Sequence, residues 1–529
     1  MNRTLLYLAI AITFNFSIQA QTPGISIFDG SGNNFIEYIP GNLPIIISAP
    51  HGGTISSGIL ATRSCGTNEP DDNTAILVRE IQDEIFEQTG GYAHVIINNL
   101  HRRKLDPNRS YQQATCSNNT DVNDTSRALY YWKAFHDFID DASTVVNANW
   151  GKGLYLDLHG QSHTTPRIEI GYRITRNNIN GSDTSLNTIT GSSITNLVDD
   201  NITNISQSQL IRGNNSLGAL FHRANYYPYS GSGSTSNTSA HYSYLDYPGC
   251  NRNDTFGYRA TPSDYNFGGG SCDDMRPNNS NYFSGFFYNN ERHGSANISV
   301  QTVDNNGTVT LVTAGGTIDG MMTEVNRRVR DVGSTLEPFA KDYANVVIDF
   351  IDIHYNDFSI FNYANSIYDV SDSDPLPVLT TGVTGGQYLS SPSGLIINQS
   401  TGNIDLSASM VGNYTVTYSV GPLKAGDQHR FYDTDFSVSI TDNTLSNNEQ
   451  DALTFRLFPN PTHSKLKFKS SIAIHKIELF NTLGQKLMAT KFDKFQGVID
   501  ISQFSNGLYV AVFYNGDDEK LITRRIIKE

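Results

Sequence analysis

The amino-acid sequence predicts an α/β domain, a mixed sheet flanked by helices, followed by two small β units. Three observations carry that expectation. Between Ile25 and about Tyr355, β-branched runs alternate with stretches of helical periodicity, the pattern of a sheet covered by helices. After "DVSDSDPLP" the texture changes to short alternating strands with glycine turns, as in "YTVTYSV", which argues a small β-sandwich. The polar stretch "TDNTLSNNEQDA" then separates a last segment beginning near "FRLFPNPT". A chain of 529 residues exceeds one usual hydrophobic core, so about three domains are expected.

The first twenty residues combine Arg3, the apolar run "LLYLAIAITFNF" and "IQA" ahead of Gln21. These are the basic, apolar and small-residue regions of a secretory signal peptide over 1–20. No later segment reaches the roughly 18 apolar residues of a membrane span. The formal charge of −15, from 37 Lys+Arg against 52 Asp+Glu, argues against nucleic acid or an anionic membrane surface as a partner. Export sets an oxidising compartment, so Cys65, Cys116, Cys250 and Cys272 are expected as two disulfides. The sequence-near pairs Cys65–Cys116 and Cys250–Cys272 are preferred among the three connectivities.

Within residues 25–360, "LPIIISA", "HVIINNL", "GLYLDLHG" and "RIEIGYRI" read as strands, the first three too apolar to have a wet face. Leu77, Val78, Ile81 and Ile85 mark one face of a helix after the acidic cap "PDDNT", and Leu129, Trp132, Phe135 and Ile139 mark another. A third helix opens at "STLE", a capping box over Ser334 to Glu337, and carries Phe339, Tyr343, Val346, Val347 and Phe350. Asn177 to Asn290 is rich in Asn, Ser, Gly and Tyr with little periodicity, and is expected to form long loops around a site.

The chemistry starts at "IIISAPHGG". A buried strand that ends in His51 and two glycines delivers an imidazole where open α/β sheets place ligand groups. "LYLDLHGQSH" repeats the arrangement with His159 and Gly160. Two strand-end imidazoles and the acidic pair Asp71 and Asp72 at a helix start suit a catalytic zinc with one open position. Asp157, two residues before His159 on the same side of the strand, is placed to orient an imidazole. "RRKLDPNRS" supplies Arg102, Arg103 and Arg109, the residue type for bidentate recognition of carboxylates. "ERHGS" offers Arg292 and His293 as a substrate-side wall. Glu324, on a buried strand, is the candidate general base, because a carboxylate there is costly unless paired or used.

"SAPHGG", "HRRKLDPNRS", "LYLDLHGQSH", "IEIGY", "YFSGFFYNNERHGS" and "GTIDGMMTEVNRRVR" stand in an order that resembles N-formylglutamate amidohydrolases, which are similar in fold to the zinc carboxypeptidases. The resemblance spans roughly Ile45 to Asp331 and implies a phosphorylase/hydrolase-like α/β fold with a single Zn2+. It implies that His51, His159 and Asp71 hold the metal and that Glu324 is the base. Asn108 and Arg109 match a pair that holds a substrate carboxylate, and Arg102 is the counterpart of an oxyanion-stabilising arginine. Thr54 occupies the position three after His51 where the carboxypeptidases have glutamate, so the third ligand comes from elsewhere, with Asp71, Asp72 and Glu69 as candidates.

The expected activity is a secreted, zinc-dependent hydrolysis of an amide bond next to a glutamate-like, carboxylate-bearing group. Export directs it at an amide in a peptide, a peptidoglycan fragment or a γ-glutamyl polymer. The competing expectation is a surface-displayed binding protein with a degenerate hydrolase domain, which need hold no stoichiometric zinc.

The tail motifs "LFPNPT", "IELFNTLGQKL", "SNGLYVAVF" and "KLITRRIIKE" resemble the C-terminal sorting domain of the type IX secretion system. This implies a β-sandwich over 454–529, the secretion machinery as partner, and release from or anchoring to the cell surface. An immunoglobulin-like sandwich over 375–441 and a linker over 442–453 complete the expected organisation.

Overall fold

A computed structural model describes residues 21–116, 124–164, 166–224, 258–264, 276–304, 307–355, 357–425, 427, 430–442 and 455–529. The signal peptide, nearly all of the linker, and Cys250 and Cys272 lie outside the described residues. The chain divides into two compact units, Met1–Tyr355 with Gly421–Gln428, and Asn356–Val420 with His429–Glu529. No helix among the described residues is long and apolar enough to cross a membrane.

The first unit follows the order β1 (Ile27–Phe28), β2 (Ile36–Ile39), β3 (Ile45–Ala49), α1 (Thr74–Thr89), β4 (His94–Asn98), α2 (Tyr111–Thr115), α3 (Ala128–Trp150), β5 (Gly153–Gln161) and β6 (Ile168–Gly171). There follow α4 (Arg176–Asn180), α5 (Asp183–Leu186), α6 (Thr195–Asp199), α7 (Gln207–Arg212), α8 (Leu217–Arg223), β7 (Ala260–Thr261) and α9 (Tyr288–His293). The unit closes with β8 (Ile298–Val303), β9 (Val309–Ala314), β10 (Ile318–Asn326) and α10 (Leu336–His354).

Eight strands form one mixed sheet in the order β1-β2-β4-β3-β5-β10-β6-β7. Its centre, β4-β3-β5-β10, is parallel. All five residues of β3 and all five of β4 are buried, as both faces of a parallel sheet must be covered. On one face Tyr343 of α10 bonds to Thr323 of β10 at 2.8 Å, and α1 packs on α10. On the other face α3 lies against β3 and β5, and His293 of α9 packs edge-on to Tyr155 of β5.

The apolar stripes read from the sequence are the buried ones: Leu77, Val78, Ile81 and Ile85 in α1, Leu129, Trp132, Phe135 and Ile139 in α3, and Phe339, Tyr343, Val346, Val347 and Phe350 in α10. The caps differ from expectation. Asn73, left-handed, begins α1 without a side-chain cap, and Asp71 uses its backbone oxygen to accept from Thr74 while its carboxylate turns elsewhere. At α10 the reciprocal capping box does not form: Ser334 donates to the Asp331 carbonyl, and Glu337 accepts from the Gly333 amide. The stretch expected as loops contains α4 to α8, of four to seven residues each. Helices this short show no visible periodicity, and their signal lies in caps such as Thr175, Ser182 and Ser216, which accept backbone N–H groups.

In the second unit the strand order β12-β18-β17-β14 joins Ile367–Asp369, Arg430–Thr441, Gly412–Leu423 and Gln387–Ser391, while β11 (Ser359–Asn362) pairs β13 (Val378–Gly382). Two short strands, β15 (Ile396–Ile397) and β16 (Ile404–Asp405), pair with each other. The C-terminal β-sandwich-like region contains β19 (Phe455–Phe458), β20 (Lys465–Asn481), β21 (Lys486–Asp500), β22 (Gly507–Tyr514) and β23 (Lys520–Lys528). Their pairings are antiparallel, and Leu466, Phe468, Ile477, Leu479, Ala511 and Phe513 share its core.

Cys65 and Cys116 form a disulfide, one of the two expected pairs. It spans a sequence separation of 51, for which chain-entropy arguments give on the order of 4 kcal/mol of stabilisation. Replacing both cysteines with serine is expected to lower the unfolding midpoint in denaturant and to steepen the slope, because the denatured chain without the cross-link exposes more surface. An unchanged midpoint measured by circular dichroism would remove this bond from the stability of the first unit.

Candidate metal centre

The two histidines arrive at one place because β3 and β5 are neighbours in parallel register, with Ser48 opposite Asp157. The chain leaves β3 toward β4 on one side and leaves β5 toward β10 and β6 on the other, so their carboxyl ends form a topological switch point. Beyond β3, His51 turns in. A Cβ on Gly52 would lie 2.3 Å from the Ala75 nitrogen, and one on Gly53 would lie 2.3 Å from the Asn99 carbonyl carbon. The glycines therefore let this loop press between α1 and the end of β4. The Asp71 amide donates to the His51 carbonyl at 3.1 Å, which docks the start of α1 on the same loop.

His51, Asp71 and His159 are buried and offer ligand atoms within 4.8 Å of one another. His51 Nδ1 and His159 Nδ1 are 3.1 Å apart, and Asp71 Oδ2 is 3.2 Å from the first and 3.1 Å from the second. The opposite nitrogen of each ring meets a buried carboxylate: His51 Nε2 with Asp106 Oδ1 at 2.7 Å, and His159 Nε2 with Asp157 Oδ2 at 2.8 Å. Those bonds place the protons on Nε2 and turn both Nδ1 lone pairs inward. Three acceptors facing one another at this range require positive charge between them. A tetrahedral ion with bonds near 2.0–2.1 Å separates its ligands by about 3.3 Å, so the donor set fits zinc. Asp72 and Glu69, the alternative third ligands, are exposed.

The electrostatics follow from burial. Burial opposes ionisation of Asp71, yet the two histidines hold its carboxyl well below the usual range. Burial likewise opposes charge on Asp106, and His51 and Arg102 overcome it. Burial disfavours a charged His159, but Asp157 and Asp71 hold its pKa well above the ordinary histidine value, so a proton on this ring supplies the positive charge the cluster needs wherever no cation does. Glu324 lies in register with His159 across β5 and β10 and with Glu169 across β10 and β6. Burial pushes its carboxyl up to about 8, with His159 opposing and Asp71 and Glu169 adding to the rise.

The remaining predicted residues divide. Arg109 is half-buried with its guanidinium 5.2 Å from the centre of the Phe287 ring. It donates to the Asn108 carbonyl at 2.6 Å and makes no ion pair among the described residues. Asn108 sits against the His159 ring at 3.0 Å, and its amide oxygen accepts from the Asn289 backbone. Arg102 is committed to carboxylates that surround the cluster, with Nε 3.0 Å from Asp106 Oδ2 and Nη1 3.6 Å from Asp71 Oδ1. It holds the donor set instead of facing open space. His293, expected on a substrate-side wall, has both ring nitrogens engaged by α3, with His136 at 2.9 Å and Asp140 at 3.2 Å. Arg292 also turns to α3 and pairs with Asp140 at 2.5 Å.

Sequence reasoning left out Asp106, although it lies inside "HRRKLDPNRS". An acid among three arginines was the signal. It also left out Asn289, whose amide donates to Asp157 at 3.0 Å, and Phe287 beneath Arg109. Their partners are distant in sequence, so no local pattern marks them.

Residues 456–529 match the family Secretion system C-terminal sorting domain. No curated protein matches the chain. Among solved structures, the chain is similar to the BSP domain of a biofilm associated protein, with 11% identity, coverage of 43% of this chain and 45% of that one, and a TM-score of 0.14. It is also similar to dimeric latent PorU from Porphyromonas gingivalis (15% identity, 32% and 20% coverage, TM-score 0.14). A third similarity is to fibronectin(III)-like modules of Clostridium thermocellum CbhA (10% identity, 32% and 94% coverage, TM-score 0.12). The chain thus spans under half of the first of these chains and a fifth of the second. With a type IX secretion sorting domain at its C-terminus, the protein is secreted or attached to the cell surface.

Proposed function

We propose that the first unit is a zinc-dependent hydrolase of amide bonds adjacent to a carboxylate-bearing, glutamate-like group, on the pattern of the N-formylglutamate amidohydrolases. One observation carries the reading: three buried lone-pair donors converge from three separate segments, and each imidazole is oriented from behind by its own carboxylate. A capping aspartate or two core histidines would not need that arrangement. The mixed sheet with helices on both faces supports the phosphorylase/hydrolase-like architecture that accompanies such sites.

His51, Asp71 and His159 would hold the ion, which would supply Lewis acidity toward a substrate carbonyl and a water. Asp106 and Asp157 keep both Nδ1 atoms available. Glu324, in the same register row as His159, takes the proton of the attacking water and returns it to the leaving amine. Arg109, backed by Phe287, binds the substrate carboxylate and positions the amide for attack. Arg102 keeps Asp71 and Asp106 in place.

Three outcomes are expected. Purified full-length protein should contain one zinc per chain by elemental analysis, and Asp71→Asn should lower the zinc content at unchanged secondary structure. Stoichiometric absence of metal in folded wild-type protein would favour a non-catalytic binding role. Glu324→Gln should retain zinc and lose about 10² to 10⁴ in turnover, and a zinc-loaded variant with full activity rules Glu324 out as the base. Arg109→Ala should weaken binding of free-carboxylate substrates by about 2 to 3 kcal/mol while amidated analogues change little. Equal losses on both substrate types, together with a lower melting temperature, would assign Arg109 to the fold.

A further inference from the structure

A cavity of about 520 Å³ opens beside β6, lined by His163, Thr175, Arg176, Asn177, Asn281, Tyr282 and Phe283. Its wall is tied to the metal centre. Glu169 accepts from the Phe283 amide at 2.9 Å and meets His163 Nδ1 at 2.9 Å, and the same Glu169 is the register neighbour of Glu324. With strands about 4.8 Å apart, Glu169 stands two strands, about 10 Å, from His159. His163 stacks on Phe283, with ring centres 4.9 Å apart and planes at 6°. Phe283 contacts Phe287 at 6.1 Å between centres, and Phe287 backs Arg109. One aromatic wall therefore runs from the cavity to Arg109.

The lining contains Arg176 and no aspartate or glutamate. Arg176 is anchored by one hydrogen bond, from Nη1 to the Ser280 carbonyl at 3.0 Å, and makes no ion pair among the described residues. Thr175, Asn177 and Asn281 add polar groups around it. A volume of this size is in the range that holds a ligand of several linked units.

We propose that this cavity is a second substrate subsite that takes an acidic unit of a peptide, with Arg176 pairing to its carboxylate. The assignment rests on the hydrolase reading for its meaning in catalysis and on the cavity's chemistry for the ligand. The enzyme then prefers acidic oligopeptides over single N-acyl amino acids, because units held by Arg109 and Arg176 bind along one wall.

The test uses the zinc-loaded full chain carrying Glu324→Gln, so that peptide is not consumed, and measures binding of triglutamate and trialanine by calorimetry. Triglutamate is expected to bind about tenfold tighter or more, the scale of one charge-assisted contact. Adding Arg176→Gln should abolish that preference, and Arg176→Lys should restore part of it. A triglutamate preference that survives Arg176→Gln, or its absence in the parent protein, overturns the subsite. A parallel assay of hydrolysis by the wild-type chain separates the two readings. Arg176-dependent triglutamate binding without cleavage of any amide leaves the subsite standing and removes the hydrolase. Cleavage of short N-acyl glutamates with triglutamate binding indifferent to Arg176 removes the subsite alone.

Discussion

Everything at the carboxyl end of the sheet depends on a chain of buried carboxylate–imidazole pairs. Asp106 and Asp157 each take one ring nitrogen of His51 and His159, and Asp71 meets the other nitrogen of both. Buried charges of this density are tolerated only when each is paired. The surroundings supply the pairing: Arg102 and Arg63 lie against Asp106, Ser48 and Asn289 donate to Asp157, and the Gly160 amide donates to Asp71. Remove the positive charge that the three inward donors call for, and this network has no complete set of partners.

The fold delivers that network by topology. Parallel neighbours β3 and β5 bring two histidines, more than a hundred residues apart in sequence, into ring contact at 4.8 Å between centres. The docked start of α1 adds a carboxylate between them. Because the central strands are buried, the carboxyl ends are where polar side chains converge without disturbing the core. Glu324, Glu169 and the aromatic wall of Phe283 and Phe287 extend this polar edge along β10 and β6.

Much of this was legible in the chain. The buried strands were visible as β-branched runs, and the helices as apolar stripes, because those patterns are local and repeat over many residues. His51 and His159 stood out since each ends an apolar strand and precedes a glycine. Asp157 was readable from a two-residue spacing on one strand. The short helices between residues 176 and 223 were missed because four to seven residues do not complete enough turns to show a period. At α1 the acidic stretch read as a helix cap serves another end, because the Asp71 carboxylate meets two imidazoles instead of the helix start.

The sequence by itself determined the strands, the main helices, the export signals and two of the three converging donors, since each is written in contiguous residues. Only the tertiary structure decided which acid completes the trio, that Asp106 stands behind His51, that Arg102 supports carboxylates, and that Arg109 is left with an aromatic backing and no ion pair. Those choices depend on pairings between segments tens to hundreds of residues apart. Burial and charge compensation select among them, and both act only once the chain has closed on itself.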